Sequence, residues 1–193
     1  MNKQRICDLS ILVVDDHRFM QQVMRLMLNG LGVREVRPAL TVEEGLHLLS
    51  CQNFDVVIAD YLMGTRNGAE FTRFARSEHF TGDRYVPIIA CTADTTQRTV
   101  KELRDAGADE ILCKPVSPNM IRTKLTAVTH ARRSFVTAPD FFGPDRRRRV
   151  RYMRPVEDRR KGDTEMVRSL PLDDLDGVGR IVRRVRIARR DDE

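Results

Sequence analysis

At 193 residues the chain holds one domain of ordinary size with an extension, or two small ones. Hydrophobic residues make up 41%, enough for a core, and no apolar run approaches the roughly 20 residues needed to cross a bilayer. The net charge of +6 is uneven: residues 1–130 carry 16 basic and 16 acidic side chains, so the whole excess falls in residues 131–193, with 18 against 12. The amino terminus has no signal-peptide apolar region. Cys7, Cys51, Cys91 and Cys113 lack a metal-knuckle spacing and read as reduced core or near-core thiols rather than a disulfide framework. Together these features point to a soluble, cytoplasmic protein.

Ile11-Leu-Val-Val14 is a short apolar run of strand length, ending on Asp15-Asp16. Phe19, Met20, Val23, Met24, Met27 and Leu28 then recur at helical spacing until Asn29-Gly30, and the methionines read as core. A weaker strand is expected at Val33-Arg-Glu-Val36. Thr41-Val-Glu-Glu44 is a capping-box signature opening a helix with Leu46, Leu48 and Leu49 on its apolar side. Val56-Val-Ile-Ala59 is an unbroken apolar run that stops on Asp60 and passes into the loop Tyr61 to Gly68, followed by a helix to about Ser77. Val86 to Cys91 predicts a fourth strand ending at Thr92, and Thr96 to Ala106 a helix closed by Gly107. Glu110-Ile-Leu-Cys113 is the fifth strand, followed by Lys114-Pro115. Ser117-Pro118 then supplies an N-cap and a first-turn proline for the last helix. Five strands alternating with five helices call for an α/β parallel sheet with helices on both faces.

In such a sheet all carboxyl ends lie along one edge, where open α/β folds place their functional crevice. Asp15, Asp16, Asp60, Thr92 and Lys114 can therefore meet. Three carboxylates brought together raise one another's pKa unless a cation is present, and oxygen ligands suit Mg2+. One Asp can then act as nucleophile towards a phosphoryl group, with Lys114 and Thr92 contacting its oxygens. His17 reads as a polar residue of the loop or first helical turn rather than a metal ligand, and no histidine spacing suggests a zinc site.

On Leu12-Val-Val-Asp-Asp16, Val56-Val-Ile-Ala-Asp60, Met63 with Gly68, Ile88-Ile-Ala-Cys-Thr-Ala93 and Lys114-Pro115, the sequence resembles the receiver domains of bacterial two-component response regulators. The resemblance covers about Ser10 to Thr129 and implies a flavodoxin-like strand order 2-1-3-4-5. It implies that Asp60 is the phosphoacceptor and that Asp15, Asp16, Asp60 and the Leu62 backbone carbonyl hold Mg2+. Thr92 matches the switch hydroxyl and Lys114 the lysine on a phosphoryl oxygen. Pro115 matches a proline whose preceding bond is cis. The donor would be a histidine kinase or histidine phosphotransfer protein, and the chain a signalling phosphoacceptor rather than an enzyme.

Three positions depart from that pattern. Gly64 replaces the usual proline and is expected to loosen the loop after Asp60. Ile111 replaces a common aromatic, leaving signal transmission to Thr92 and the loop after the fourth strand. Leu62 offers no polar side chain to guide water, so self-dephosphorylation should be slow. The reading divides the chain into a receiver domain, residues 1–130, and a basic, largely irregular extension, residues 131–193. Phe135 to Pro144 shows no clear period. The extension carries Arg146-Arg-Arg-Arg149 and further arginine pairs, and Ile181, Val182, Val185 and Ala188 at helical spacing. Its arginines suit a downstream protein partner, an anionic membrane or nucleic-acid phosphates. The competing functional reading is a transcription regulator acting through this tail.

Overall fold

The fold is that of a computed structural model, which describes residues 5–147. Strand β1 (Ser10–Val14) leads into α1 (Arg18–Gly30), followed by β2 (Glu35–Ala39), α2 (Val42–Cys51) and β3 (Val56–Asp60). A two-residue hairpin, β4 (Leu62–Met63) and β5 (Arg66–Asn67), precedes α3 (Gly68–Arg76). Strand β6 (Ile88–Thr92), α4 (Gln97–Ala106), β7 (Glu110–Cys113) and α5 (Pro118–His130) complete the α/β part. A second hairpin follows, β8 (Phe135–Ala138) and β9 (Phe141–Pro144).

The main sheet is wholly parallel in the order β2-β1-β3-β6-β7, the flavodoxin-like topology expected. Alternate residues of its central strands feed two cores. Ile11, Val13, Val56 and Ile58 pack with Met24 and Leu28 of α1 and Ile121, Leu125 and Val128 of α5. Leu12, Val14, Val57 and Ala59 pack on the other face with α2 and α3, where Phe71 is fully buried. Removing such a ring from water stabilises the fold by up to about 3 kcal/mol.

Helix starts follow the polar caps in the sequence. Thr41 accepts the Glu44 N–H, and Glu44 reaches back to the Leu40 N–H at 2.7 Å. Asn67, Thr96 and Ser117 cap α3, α4 and α5 in the same manner.

Several expectations shift. Strand β2 runs to Ala39 because its outer edge faces no neighbour, so Pro38 can sit in it without breaking a ladder bond. Strand β6 begins at Ile88 because Pro87 has no N–H to donate. On α1 Phe19 is 72% exposed and Leu26 70%. The inner row of α1 is Gln21, Met24 and Leu28; Met27 is partly buried, and Gln21 donates to the carbonyls of Asp15 and Ala39. Cys91 is buried but Cys51 is exposed, since it lies at the outer end of α2.

The stretch 135–144, read as aperiodic, is an antiparallel hairpin turned by Pro139-Asp140. Phe135 and Phe142 meet Tyr85 at ring-centroid distances of 5.1 and 5.0 Å. Arg132 stacks on Phe135 and Arg84 on Phe142. Beneath them Arg76, itself 3% exposed, donates to Asp109 at 2.9 Å and to the Gly107 and Arg84 carbonyls. Arg132 grips the same carboxylate bidentately at 2.7 and 3.2 Å, and Asp109 also accepts the Ile88 N–H at 2.9 Å. This joint ties the hairpin to the amino ends of β6 and β7. The expectations for the later arginine pairs and for the helical spacing at Ile181 to Ala188 lie outside the described residues.

Candidate functional site

Asp15 and Asp16 follow β1, Asp60 ends β3, Thr92 ends β6 and Lys114 follows β7, so the sheet gathers all five at its carboxyl edge. Asp15 and Asp60 are 7% and 6% exposed. The Lys114 ammonium lies 2.8 Å from Asp60 Oδ1 and 3.7 Å from Asp15 Oδ2. Burial pushes the Asp60 carboxyl up; the Lys114 hydrogen bond and charge pull it down without cancelling that effect, and the Asp15 charge adds to the rise. Burial acts to lower Lys114, but its hydrogen bond to Asp60 and that carboxylate's charge outweigh it, so the ammonium is held above its ordinary value.

His17, set aside in the sequence, lies against the acidic pair. Its ring Nδ1 is 2.7 Å from Asp16 Oδ1, and its backbone N–H donates to Asp15 Oδ1 at 2.8 Å. One ligand atom each from Asp15, Asp16 and His17 lie within 4.8 Å of one another. With three carboxylates and Lys114 as the ammonium paired to them, the edge carries excess negative charge and hard oxygen donors. That donor set fits a hard divalent cation such as Mg2+.

Two glycines shape the segment after Asp60. A Cβ at Gly68 would fall 2.3 Å from the Asp60 carbonyl oxygen, so only glycine lets α3 start directly over β3. Gly64, with φ +55°, turns the β4–β5 hairpin. A side chain in place of Gly64 would have its Cβ about 4.0 Å from Asp16 Oδ2. Leu62, whose carbonyl is the expected metal contact, opens β4 with its side chain pointing out, 64% exposed.

Thr92 is buried, but its hydroxyl is turned into its own loop, donating to the Asp94 carbonyl at 3.2 Å and accepting the Asp94 N–H at 3.0 Å. The Lys114–Pro115 peptide is cis, as the resemblance implies. Ile111 packs with Tyr61 against Ala90 and Leu103. Sequence reasoning missed that the Tyr61 hydroxyl donates to Glu102 of α4 at 2.9 Å. An aromatic directly after a candidate nucleophile was the available signal.

Residues 11–126, more than half of the chain, match the family described as the response regulator receiver domain. The chemotaxis protein CheY of Pseudomonas aeruginosa is 24% identical over 120 residues, which cover 62% of this chain and 95% of that protein. The sensory/regulatory protein RpfC of Xanthomonas campestris is 30% identical over 115 residues, 60% of this chain but only 16% of RpfC. Among solved structures, Vibrio cholerae CheY4 gives a TM-score of 0.57 at 29% identity, covering 62% of this chain and 98% of that one. The receiver domain of the sensor histidine kinase PA1611 from P. aeruginosa gives 0.55 at 29% identity, over 61% and 94%, and is described with a magnesium ion in its active-site cleft. No helix among the described residues is long and apolar enough to cross a membrane. With this fold, this acidic edge and this match, the chain belongs to the response regulator receiver domain family.

Proposed function

We propose that Asp60 accepts a phosphoryl group from a phosphohistidine on a histidine kinase or phosphotransfer protein, and that the chain signals through the resulting change in conformation and protein contact. An Asp60 carboxylate oxygen attacks phosphorus and the P–N bond breaks; with a proton already on its other ring nitrogen, the histidine takes the bonding electron pair and leaves as neutral imidazole. The observation that carries this reading is the Lys114 ammonium 2.8 Å from Asp60 among an excess of carboxylates. Lys114 is placed to pair with a phosphoryl oxygen once the Asp60 charge has been used in the bond. Asp15, Asp16, Asp60 and the Leu62 carbonyl would hold Mg2+, which neutralises charge on the phosphoryl oxygens when bound. Thr92 has to leave its Asp94 partners to reach the new group. That exchange couples chemistry to the loop before α4.

The kinship with segments of sensor kinases such as RpfC, RcsC and CqsS supports a histidine donor. The exposed rings and chains of Phe19, three residues beyond Asp16, and Leu62, two beyond Asp60, offer that donor an apolar footing beside the site. Phe19→Ala is expected to slow transfer from a donor protein by about tenfold while leaving transfer from a small acyl phosphate unchanged, the pattern of a docking residue. Equal slowing of both would remove the docking role. Leu62 offers nothing to orient a hydrolytic water, so the acyl phosphate should persist.

Intact mass after incubation with a small acyl phosphate tests the main reading. One phosphoryl adduct is expected with Mg2+ and none without it or in Asp60→Asn. An adduct that survives in Asp60→Asn would overturn the assignment.

A further inference from the structure

Helix α4 runs from the loop after Thr92 to the hairpin 135–144, and polar contacts as well as apolar ones hold it. Its buried residues are Thr99, Leu103 and Ala106. The core beneath is Ala69, Ala90, Leu103, Ala106 and Ala108, edged by the partly buried Tyr61 and Ile111, so four of its five buried members are alanines. Three polar attachments do the rest. Near the start, Thr99 donates to Asp94 at 2.5 Å, and Asp94 is the backbone partner of the Thr92 hydroxyl. In the middle, Glu102 accepts from the Tyr61 hydroxyl at 2.9 Å and pairs with Arg73 at 3.3 Å. Near the end, Arg104 donates to the Arg146 carbonyl at 2.8 Å, and the Arg146 guanidinium pairs with Asp105 while stacking 3.7 Å from the Phe141 ring centroid.

Glu102 and Asp105 are three residues apart and share one face of the helix. A single turn thus carries one contact to the residue next to Asp60 and another to Arg146, the first residue of the Arg146–Arg149 run. The hairpin keeps that arginine in place, because Phe141 lies in β9 and Gly143 packs on the Gly107 backbone. We infer that α4 is the mechanical link from the phosphoacceptor to the extension: Tyr61–Glu102 is its input contact and Asp105–Arg146 its output contact. Phosphorylation as its trigger rests on the proposed function; the link itself does not. A helix seated largely on alanines can shift when an attachment changes, and a shift of α4 has to pull on Arg146 or release it.

Amide hydrogen exchange of the full chain, read by mass spectrometry over residues 97–106 and 135–147, tests the link. Without any phosphoryl donor, Tyr61→Phe removes one hydrogen bond from Glu102, leaving its Arg73 pair, and is expected to speed exchange in 135–147 about fivefold, the effect of one lost hydrogen bond on a local opening equilibrium. With acyl phosphate and Mg2+, the parent is expected to change in both segments together. In the Arg104→Ala/Asp105→Ala double variant, which removes both side chains of α4 that hold Arg146, the response of 97–106 is expected to remain and that of 135–147 to vanish. Unaltered exchange in 135–147 of Tyr61→Phe, or a hairpin response retained in the double variant, would overturn the link. Intact mass of the same samples separates the two ideas. A failed phosphoacceptor leaves the mass unmodified and the Tyr61→Phe arm still decides; a failed link leaves an adduct and a silent hairpin.

Discussion

The two ends of the parallel sheet bury carboxylates in opposite company. At the amino end Asp109, 3% exposed, receives four donors from Arg76, Arg132 and the Ile88 N–H, so two guanidinium charges face one carboxylate. At the carboxyl end Asp15, Asp16 and Asp60 face Lys114, whose ammonium reaches two of them at 3.7 and 2.8 Å. A buried charge whose hydrogen bonds are all made is a joint, and breaking it is expensive. A group of carboxylates short of positive charge is instead poised to take a cation and react. One end therefore anchors the hairpin, while the other is left short of positive charge.

The same chemical change at each end is the sharpest way to break this comparison. Asp109→Asn leaves Arg76 buried without its counter-charge and is expected to lower stability by about 3 kcal/mol, read from denaturant midpoints at unchanged slope. Burial already pulls the Arg76 guanidinium down to about 10, with the Asp109 charge opposing that effect. Removing the acid leaves nothing equivalent to oppose it. A loss no greater than an exposed substitution gives, about 0.5 kcal/mol, would show that the joint is ornamental.

A smaller effect comes from the apolar side of the reactive edge. Burial pushes the Cys91 thiol up to about 12 from an ordinary 9.0. Above pH 9 the unfolded chain loses this proton while the folded chain keeps it. The thiol's contribution is therefore complete below pH 9 and is lost as pH rises towards 12, at no more than about 1.4 kcal/mol per pH unit. Cys91→Ala is expected to flatten the alkaline limb of stability against pH. A limb of unchanged steepness would mean that other groups set it.

The smallest effect belongs to Asp60→Asn without divalent cations. Because burial already works against the Asp60 charge, the variant is expected to stay within about 1 kcal/mol of the parent, on the stabilised side. A destabilisation matching that of Asp109→Asn would erase the distinction between the two ends.

The reactive edge was legible in the sequence because each of its residues closes a short apolar run. Val56 to Ala59 and Ile11 to Val14 announce strands, and a parallel sheet brings whatever follows them together. The Lys114–Asp60 pairing follows from topology alone, although the residues are distant in the chain. The amino-end joint was not legible: Arg76, Asp109 and Arg132 sit in different elements, and nothing local to any of them signals the others. Of the methionines read as core only Met24 is buried, because two rows of α1 both recur at three and four residues, and only packing chooses the inner one. The hairpin was missed although Phe-Val-Thr-Ala before Pro139-Asp140 is a strand-and-turn pattern. Its second strand, Phe-Phe-Gly-Pro, has no alternation, and arginines stacked on rings hold it down together with the Phe142 contacts to Tyr85 and Phe135.

Thermal unfolding with and without Mg2+ tests most directly whether the carboxyl edge is a cation site waiting to act. The account predicts that Mg2+ raises the Tm of the parent, equivalent to about 2.7 kcal/mol at a hundredfold excess over Kd, and that Asp16→Asn abolishes the rise. It also predicts that Arg146→Ala, at the far end, keeps the rise in full. A parent indifferent to Mg2+, or an Asp16→Asn variant stabilised as much as the parent, would contradict it.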